Sequence, residues 1–199
     1  MLEKKWTLKV IAGEDKIPNW CECELVVTGK IEDVKAFKEF AKDKSVVKVV
    51  GEVNEEILTE NFIPYPKEVY EEIDLRKKIE KKEKLTKDEK NKAMLMKLED
   101  NKPFDWYNWC CNNWGTKWGI CYSKLREETY KQKGKLVYDF QTAWTPCLQV
   151  VVAMGTKFPA LDFKYRYWEG GNGFQGTFVI KKGEIITNIQ KEYRGGRGG

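Results

Sequence analysis

The sequence predicts an α+β fold: a β-α-β unit at the N-terminus, an inserted helical hairpin, and an antiparallel sheet with helices on one side. Three observations predict it. Cys21–Thr28 alternates Cys/Glu/Cys/Glu/Leu/Val/Val/Thr, the period-two signature of a half-buried strand. Ile31, Val34, Phe37 and Ala41 follow at helical spacing. From Thr116 onward the pattern reads strand, strand, helix, then three strands. One helix cannot cover both faces of such a sheet, so one face stays open or meets the N-terminal unit. The expected divisions are 1–60 for the β-α-β unit, 61–103 for a proline loop and the hairpin, 104–193 for the C-terminal domain, and 194–199 for an Arg-Gly tail.

The elements follow in order. Trp6–Ile11 is a short apolar run that suits a first strand. Cys21–Thr28 is the next, closed by Gly29-Lys30, and Ile31–Asp43 is a helix. Val46–Val53 is β-branched and reads as a strand. Pro64 and Pro66 hold Asn61–Pro66 as a loop. Lys67–Lys102 is rich in Lys and Glu; Val69, Ile73 and Ile79 mark one helix of it. Thr86-Lys-Asp-Glu89 is a capping box opening a second, with Met94, Leu95 and Leu98 as its apolar stripe. Phe104–Cys111 suits a short aromatic helix, and Thr116–Leu125 and Lys135–Ala143 suit strands. Thr145 is the expected cap of a helix with Pro146 in its first turn and Leu148, Val151, Val152 and Gly155 on its apolar side. Leu161–Trp168 alternates cleanly, and Phe174–Ile180 and Ile185–Lys191 form a hairpin around Lys182-Gly183.

Composition narrows the chemistry. The chain has 199 residues, with 36 Lys+Arg, 31 Asp+Glu and no His. Without histidine, Ser-His-Asp and Cys-His catalysis and His-ligated zinc are excluded. No apolar run approaches the ~18–20 residues that span a bilayer, so no membrane association is expected. Met1–Trp6 lacks a signal-peptide pattern, so a cytoplasmic location is expected. The charges are interspersed, without the basic stripe of a duplex-DNA binder. The local surplus is Lys181–Gly199, which ends Arg194-Gly-Gly-Arg-Gly-Gly and resembles tails that bind single strands.

The six cysteines contain no C-x-x-C pair. Cys21 and Cys23 share the strand face of Leu25 and Val27, where a thiol acts as a small hydrophobe. Spacing gives no support to a zinc set of Cys21, Cys23, Cys110 and Cys111, so neither a metal nor a cofactor is expected. Glu169 has no spaced carboxylate partner, and Gly170–Gly173 lacks the Lys-Ser/Thr of a P-loop. No catalytic set is visible, and a binding protein is expected rather than an enzyme.

Several strings occur together: Pro18-Asn-Trp-Cys21, Phe62-Ile-Pro-x-Pro66, Trp106-Tyr-x-Trp109, Asn113-Trp-Gly-Thr-Lys-Trp118, Phe140-x-Thr-Ala-Trp144-x-Pro146, Phe158-Pro159 and Glu169-Gly-x-x-Gly-Phe-x-Gly176. Across about Pro18–Glu184 the chain resembles the YubB/Api-like family of phage- and plasmid-borne proteins. The resemblance implies a ferredoxin-like C-terminal domain and a mobile genetic element as origin, and it implies no reaction. The chain departs from the family pattern in Met1–Ile17, in Thr145-Pro-Cys147 where Ser-Pro-Pro is usual, and in the Arg-Gly tail.

The candidate pocket lies where these strings meet strand ends. Trp114, Trp118, Trp144 and Phe174 are its expected walls, and Asn113, Thr116, Lys117 and Glu169 its polar groups; a packed corner is the alternative. The origin that the resemblance implies, together with the lack of a catalytic set, favours a mobile-element accessory protein that binds a host protein or ribonucleoprotein and antagonises a host defence system, such as CRISPR. A single-stranded nucleic-acid module is the second reading, through Lys164, Arg166, Trp168, Arg194 and Arg197. A nucleotide or small-molecule sponge is the third.

Overall fold

The computed structural model describes residues 19–42, 56–96 and 106–196. They fall into two compact units, one drawn from Tyr65–Trp106 and one holding the sheet. The expected strands Trp6–Ile11 and Val46–Val53 lie outside the described residues, as do Arg197 and Leu98.

The sheet unit contains β1 (Trp20–Gly29) and α1 (Ile31–Ala41), then, past the 3-10 turn Thr59–Asn61, α4 (Trp106–Trp114), which begins at the unit boundary. It continues with β2 (Cys121–Tyr130), β3 (Gly134–Ala143), α5 (Leu148–Lys157), β4 (Asp162–Glu169), β5 (Phe174–Lys181) and β6 (Glu184–Glu192). The six strands lie in the order β2-β3-β1-β4-β5-β6, with every neighbouring pair antiparallel.

This order corrects the expected division at residue 60. β1 does not pair within an N-terminal unit; it runs between β3 (Trp20 opposite Ala143) and β4 (Thr28 opposite Asp162). The ferredoxin-like plan is therefore β1-α1-β2-β3-α5-β4, and β5 and β6 extend one side of it. Periodicity identifies which face of a strand is buried but not which strands it pairs with.

Packing explains the order. Cys21, Cys23, Leu25 and Val27 of β1 point into one core with Tyr138 of β3 and Phe163 and Tyr165 of β4. Val34, Phe37 and Ala41 bury the matching stripe of α1. Phe37 is central: its ring centroid lies 5.5 Å from Phe163, 5.3 Å from Phe158 and 6.3 Å from Tyr138. Helix α5 lies against β4 and β5. Gly155 makes this approach close, since a Cβ there would stand 2.7 Å from Ile180 Cγ2.

Helix α5 starts later than Thr145. The Thr145 hydroxyl donates to Gly115 O at 2.6 Å instead of capping, and Cys147 occupies the N-cap position. The buried face is Val150, Val151, Met154 and Gly155, while Val152 faces solvent.

The other unit is a helical pair, α2 (Lys67–Glu80) and α3 (Lys87–Leu95). The capping box forms: Glu89 N donates to Thr86 Oγ1 at 3.2 Å, and Thr86 N to Glu89 Oε2 at 2.8 Å. The expected stripe does not, because Met94 and Leu95 are exposed. Leu75 and Ala93 bury instead, flanked by Leu85 and Met96. Ion pairs Lys78–Glu89 and Lys92–Glu71 tie the helices together, and the Lys78 ammonium, with the Thr86 backbone amide, holds the Glu89 carboxyl down at about 2.

Candidate binding face

The strings around Asn113, Thr142 and Glu169 do meet at one end of the sheet, and there they interlock. Thr116 Oγ1 donates to Ala143 O at 2.8 Å, and Trp144 N donates to Asn19 O at 2.9 Å. Trp114 is buried, its indole donating to Ile63 O at 2.9 Å and its ring edge-on to Trp109 at 5.4 Å. Asn113 Nδ2 donates back to Trp109 O at 2.9 Å. Lys117 is buried with its ammonium 4.8 Å from the Trp118 ring centroid, a cation–π contact. The buried Glu169 carboxylate accepts from Gly171 N at 2.6 Å and from Asn172 N. Phe174 packs against Tyr167 at 6.1 Å. These partners organise a packed corner. Among the eight candidate residues, Trp144 alone is exposed, at 39%.

A different surface emerges on the face of the sheet opposite α1 and α5. β1 sends Cys21, Cys23, Leu25 and Val27 to the helices, so Trp20, Glu22 and Glu24 alternate to the other face. Across β4, Glu22 stands opposite Trp168 and Glu24 opposite Arg166. Across β3, Glu22 stands opposite Gln141 and Glu24 opposite Asp139.

Glu24 anchors this face. It is 4% exposed. Arg166 Nε donates to its Oε1 at 2.8 Å, Arg166 Nη2 reaches the same oxygen, and Arg126 Nη2 reaches Oε2. Arg126 Nε also pairs with Asp139 Oδ2 at 3.2 Å. Burial pushes the Glu24 carboxyl up, and the guanidinium hydrogen bonds outweigh it, leaving the pKa below the ordinary carboxylate value. Next along the strand, Gln141 Nε2 donates to Glu22 Oε1 at 2.6 Å.

Beyond Glu22 the face turns aromatic. The Trp20 ring lies 5.8 Å from Trp118 and 5.4 Å, edge-on, from Tyr122. Tyr122 is 50% exposed and sits at φ +55°, where β2 loses register with β3 between Cys121 and Lys124. The bulge turns this side chain outward. Trp168, half-buried, and Lys164, exposed, lie on the same face, while Arg166 is committed to Glu24. Arg194 donates its backbone N–H to Gln175 Oε1 at 3.1 Å. Sequence reasoning placed Lys164, Arg166 and Trp168 together but missed Trp20 and Tyr122. The phase of Trp20 with Glu22 and Glu24 could have found the first, whereas nothing in the sequence marks the bulge at Tyr122.

Burial and hydrogen bonding hold two of the core thiols in the neutral form. Cys21 is held above its ordinary pKa by its hydrogen bond with Cys23 and by burial, and Cys147 by burial. Tyr165 OH sits between Cys23 Sγ at 2.9 Å and Cys147 Sγ at 3.7 Å. Among the described residues no group of three or more Cys, Asp or Glu is placed to hold a metal ion. Nor is any helix among them long and apolar enough to cross a membrane.

Comparison with known proteins bears on the fold. No curated protein matches the chain. The crystal structure of a protein api92 from Yersinia pseudotuberculosis superposes with a TM-score of 0.54 at 11% identity, covering 90% of this chain and 99% of that one. At that identity the likeness establishes the fold alone. Residues 122–196 match the family model described as the ferredoxin-like domain in Api92-like protein.

Proposed function

We propose that this chain is a non-enzymatic accessory protein of a phage or other mobile element. It binds a host macromolecule in the cytoplasm through the face of its sheet opposite α1 and α5. The observation that carries this reading is the aromatic group Trp20–Trp118–Tyr122 set beside Trp168 and the Glu24–Arg126–Arg166 network. Trp, Tyr and Arg are the side chains that dominate macromolecular interfaces. Antagonism of a host defence system rests on the mobile-element resemblance and is the finer part of the proposal.

The test is retention of partners from host lysate by the immobilised chain, compared with the Tyr122→Ala/Trp168→Ala variant. Loss of a retained partner by the variant supports the reading. Equal retention, or no partner at all, overturns it.

Lys164 and Trp168 on the same face favour a second reading, single-stranded nucleic acid. Glu22, Glu24 and Asp139 oppose phosphate there, which ranks this reading below a protein partner. Titration with labelled single-stranded RNA and DNA at several salt concentrations decides it: salt-sensitive binding lost in Trp168→Ala supports the second reading, and absence of binding removes it.

A further inference from the structure

Glu22 and Glu24 of β1 share one face of the sheet but have different neighbours. Glu24 has Arg166 opposite it on β4, and both of its carboxylate oxygens accept from guanidinium groups. Glu22 has Trp168 opposite it on β4 and Gln141 opposite it on β3. Its side-chain hydrogen bond is a neutral one, from Gln141 Nε2 to Oε1 at 2.6 Å, and among the described residues no cation pairs with it. Arg126 and Arg166 between them offset Glu24 and Asp139, and the charge of Glu22 is left over.

An indole therefore stands beside Glu22 where a guanidinium stands beside Glu24. Directly opposed residues hold their Cβ atoms about 5 Å apart, so Trp168 flanks the Glu22 carboxylate. Trp168 makes no ring or cation contact among the described residues, and Trp20 precedes Glu22 on the same face. Glu22 and both indoles are half-buried, so solvent reaches them.

We propose that Glu22 and Trp168 form a receptor for an arginine side chain of a protein partner, which presupposes that this face is the one that binds. The guanidinium lies over the Trp168 ring and donates to the Glu22 carboxylate, as Arg166 donates to Glu24 within the chain. The ring face attracts the cation, and the carboxylate fixes its direction. Arginine suits the place better than lysine, because its planar fork stacks on an indole and bonds a carboxylate through two donors. An anionic group is repelled by Glu22, and an apolar one would bury that carboxylate without a partner.

The test is NMR titration of the full chain with acetyl-Gly-Arg-Gly-amide, read on the indole N–H groups of Trp20 and Trp168. Matched lysine and citrulline peptides serve as controls, citrulline keeping the shape of arginine without its charge. Saturable shifts are expected with the arginine peptide, weaker binding with lysine, and none with citrulline. Glu22→Gln can still accept from Gln141 and is expected to weaken the arginine peptide at least about fivefold. No saturable binding, equal binding of the lysine or citrulline peptide, or a Glu22→Gln variant that binds as wild type does overturns the receptor. Lysate retention separates it from the broader reading. A partner kept by Glu22→Gln but lost by Tyr122→Ala/Trp168→Ala overturns the arginine receptor and leaves the binding face standing.

Discussion

Arg166 faces Glu24 across the β1–β4 pair and donates Nε at 2.8 Å to a carboxylate that is almost wholly buried. Arg126 reaches the other carboxylate oxygen from β2, so one glutamate of β1 joins three strands on the face opposite α1 and α5.

Removing that carboxylate leaves two guanidinium groups facing each other. Glu24→Gln is expected to lower stability by about 2 kcal/mol, the arginines being partly solvated. Glu128→Gln, which breaks the more exposed 2.6 Å pair with Lys38, is expected to cost under about 1 kcal/mol. Urea unfolding of both variants measures the contrast; equal losses would contradict the anchoring role of Glu24.

The same carboxylate sets an acid dependence. Its folded pKa lies below the ordinary 4.5, so its stabilisation is complete above that pH and is lost as pH falls through the lower folded value. The gap in urea midpoint between wild type and Glu24→Gln is expected to stay constant from about pH 7 to about pH 5 and to narrow towards about pH 3. A gap that widens on acidification would reverse the assignment.

Gly155 offers a test of sign. In an exposed helix, Gly→Ala stabilises by about 1 kcal/mol. Here the new methyl would stand 2.7 Å from Ile180 Cγ2 and 2.9 Å from its Cδ1. Gly155→Ala is therefore expected to destabilise by about 1–3 kcal/mol, with partial recovery on adding Ile180→Val. Thermal unfolding of the single and double variants checks it.

Trp144 holds φ +71°, a left-handed conformation that costs a non-glycine residue about 1 kcal/mol. Trp144→Gly removes that strain but loses the packing of the half-solvated ring. The net change expected is within about 1 kcal/mol of zero, unlike the loss of several kcal/mol expected for the buried Trp114→Gly. Chemical denaturation of the pair resolves the difference.

β1, β3, β4 and β5 were legible because each has one dry face. Leu161, Phe163, Tyr165 and Tyr167 alternate in sequence and are buried. The centrality of β1 was not legible, since its partners Ala143 and Trp168 lie over a hundred residues away and pairing leaves no local mark. The start of α5 was misread because the Thr145 hydroxyl found Gly115 O, a contact set by the fold. The stripe of α3 was misread because it buries Ala93, the small residue, and leaves Met94 and Leu95 in solvent. At the candidate site, the convergence of Thr116, Trp144 and Glu169 on one end was readable from strand order. Their hydrogen bonds to Ala143 O, Asn19 O and the Gly171–Asn172 amides were not, and neither was the bulge that exposes Tyr122.

The central claim is that the sheet face opposite α1 and α5 does the binding. Its most direct test compares partner retention by wild type, Tyr122→Ala/Trp168→Ala, and Val152→Ser on α5, each with its fold verified by circular dichroism. Retention by wild type and Val152→Ser, with loss in the aromatic variant, is the result expected. Retention by all three would contradict the claim.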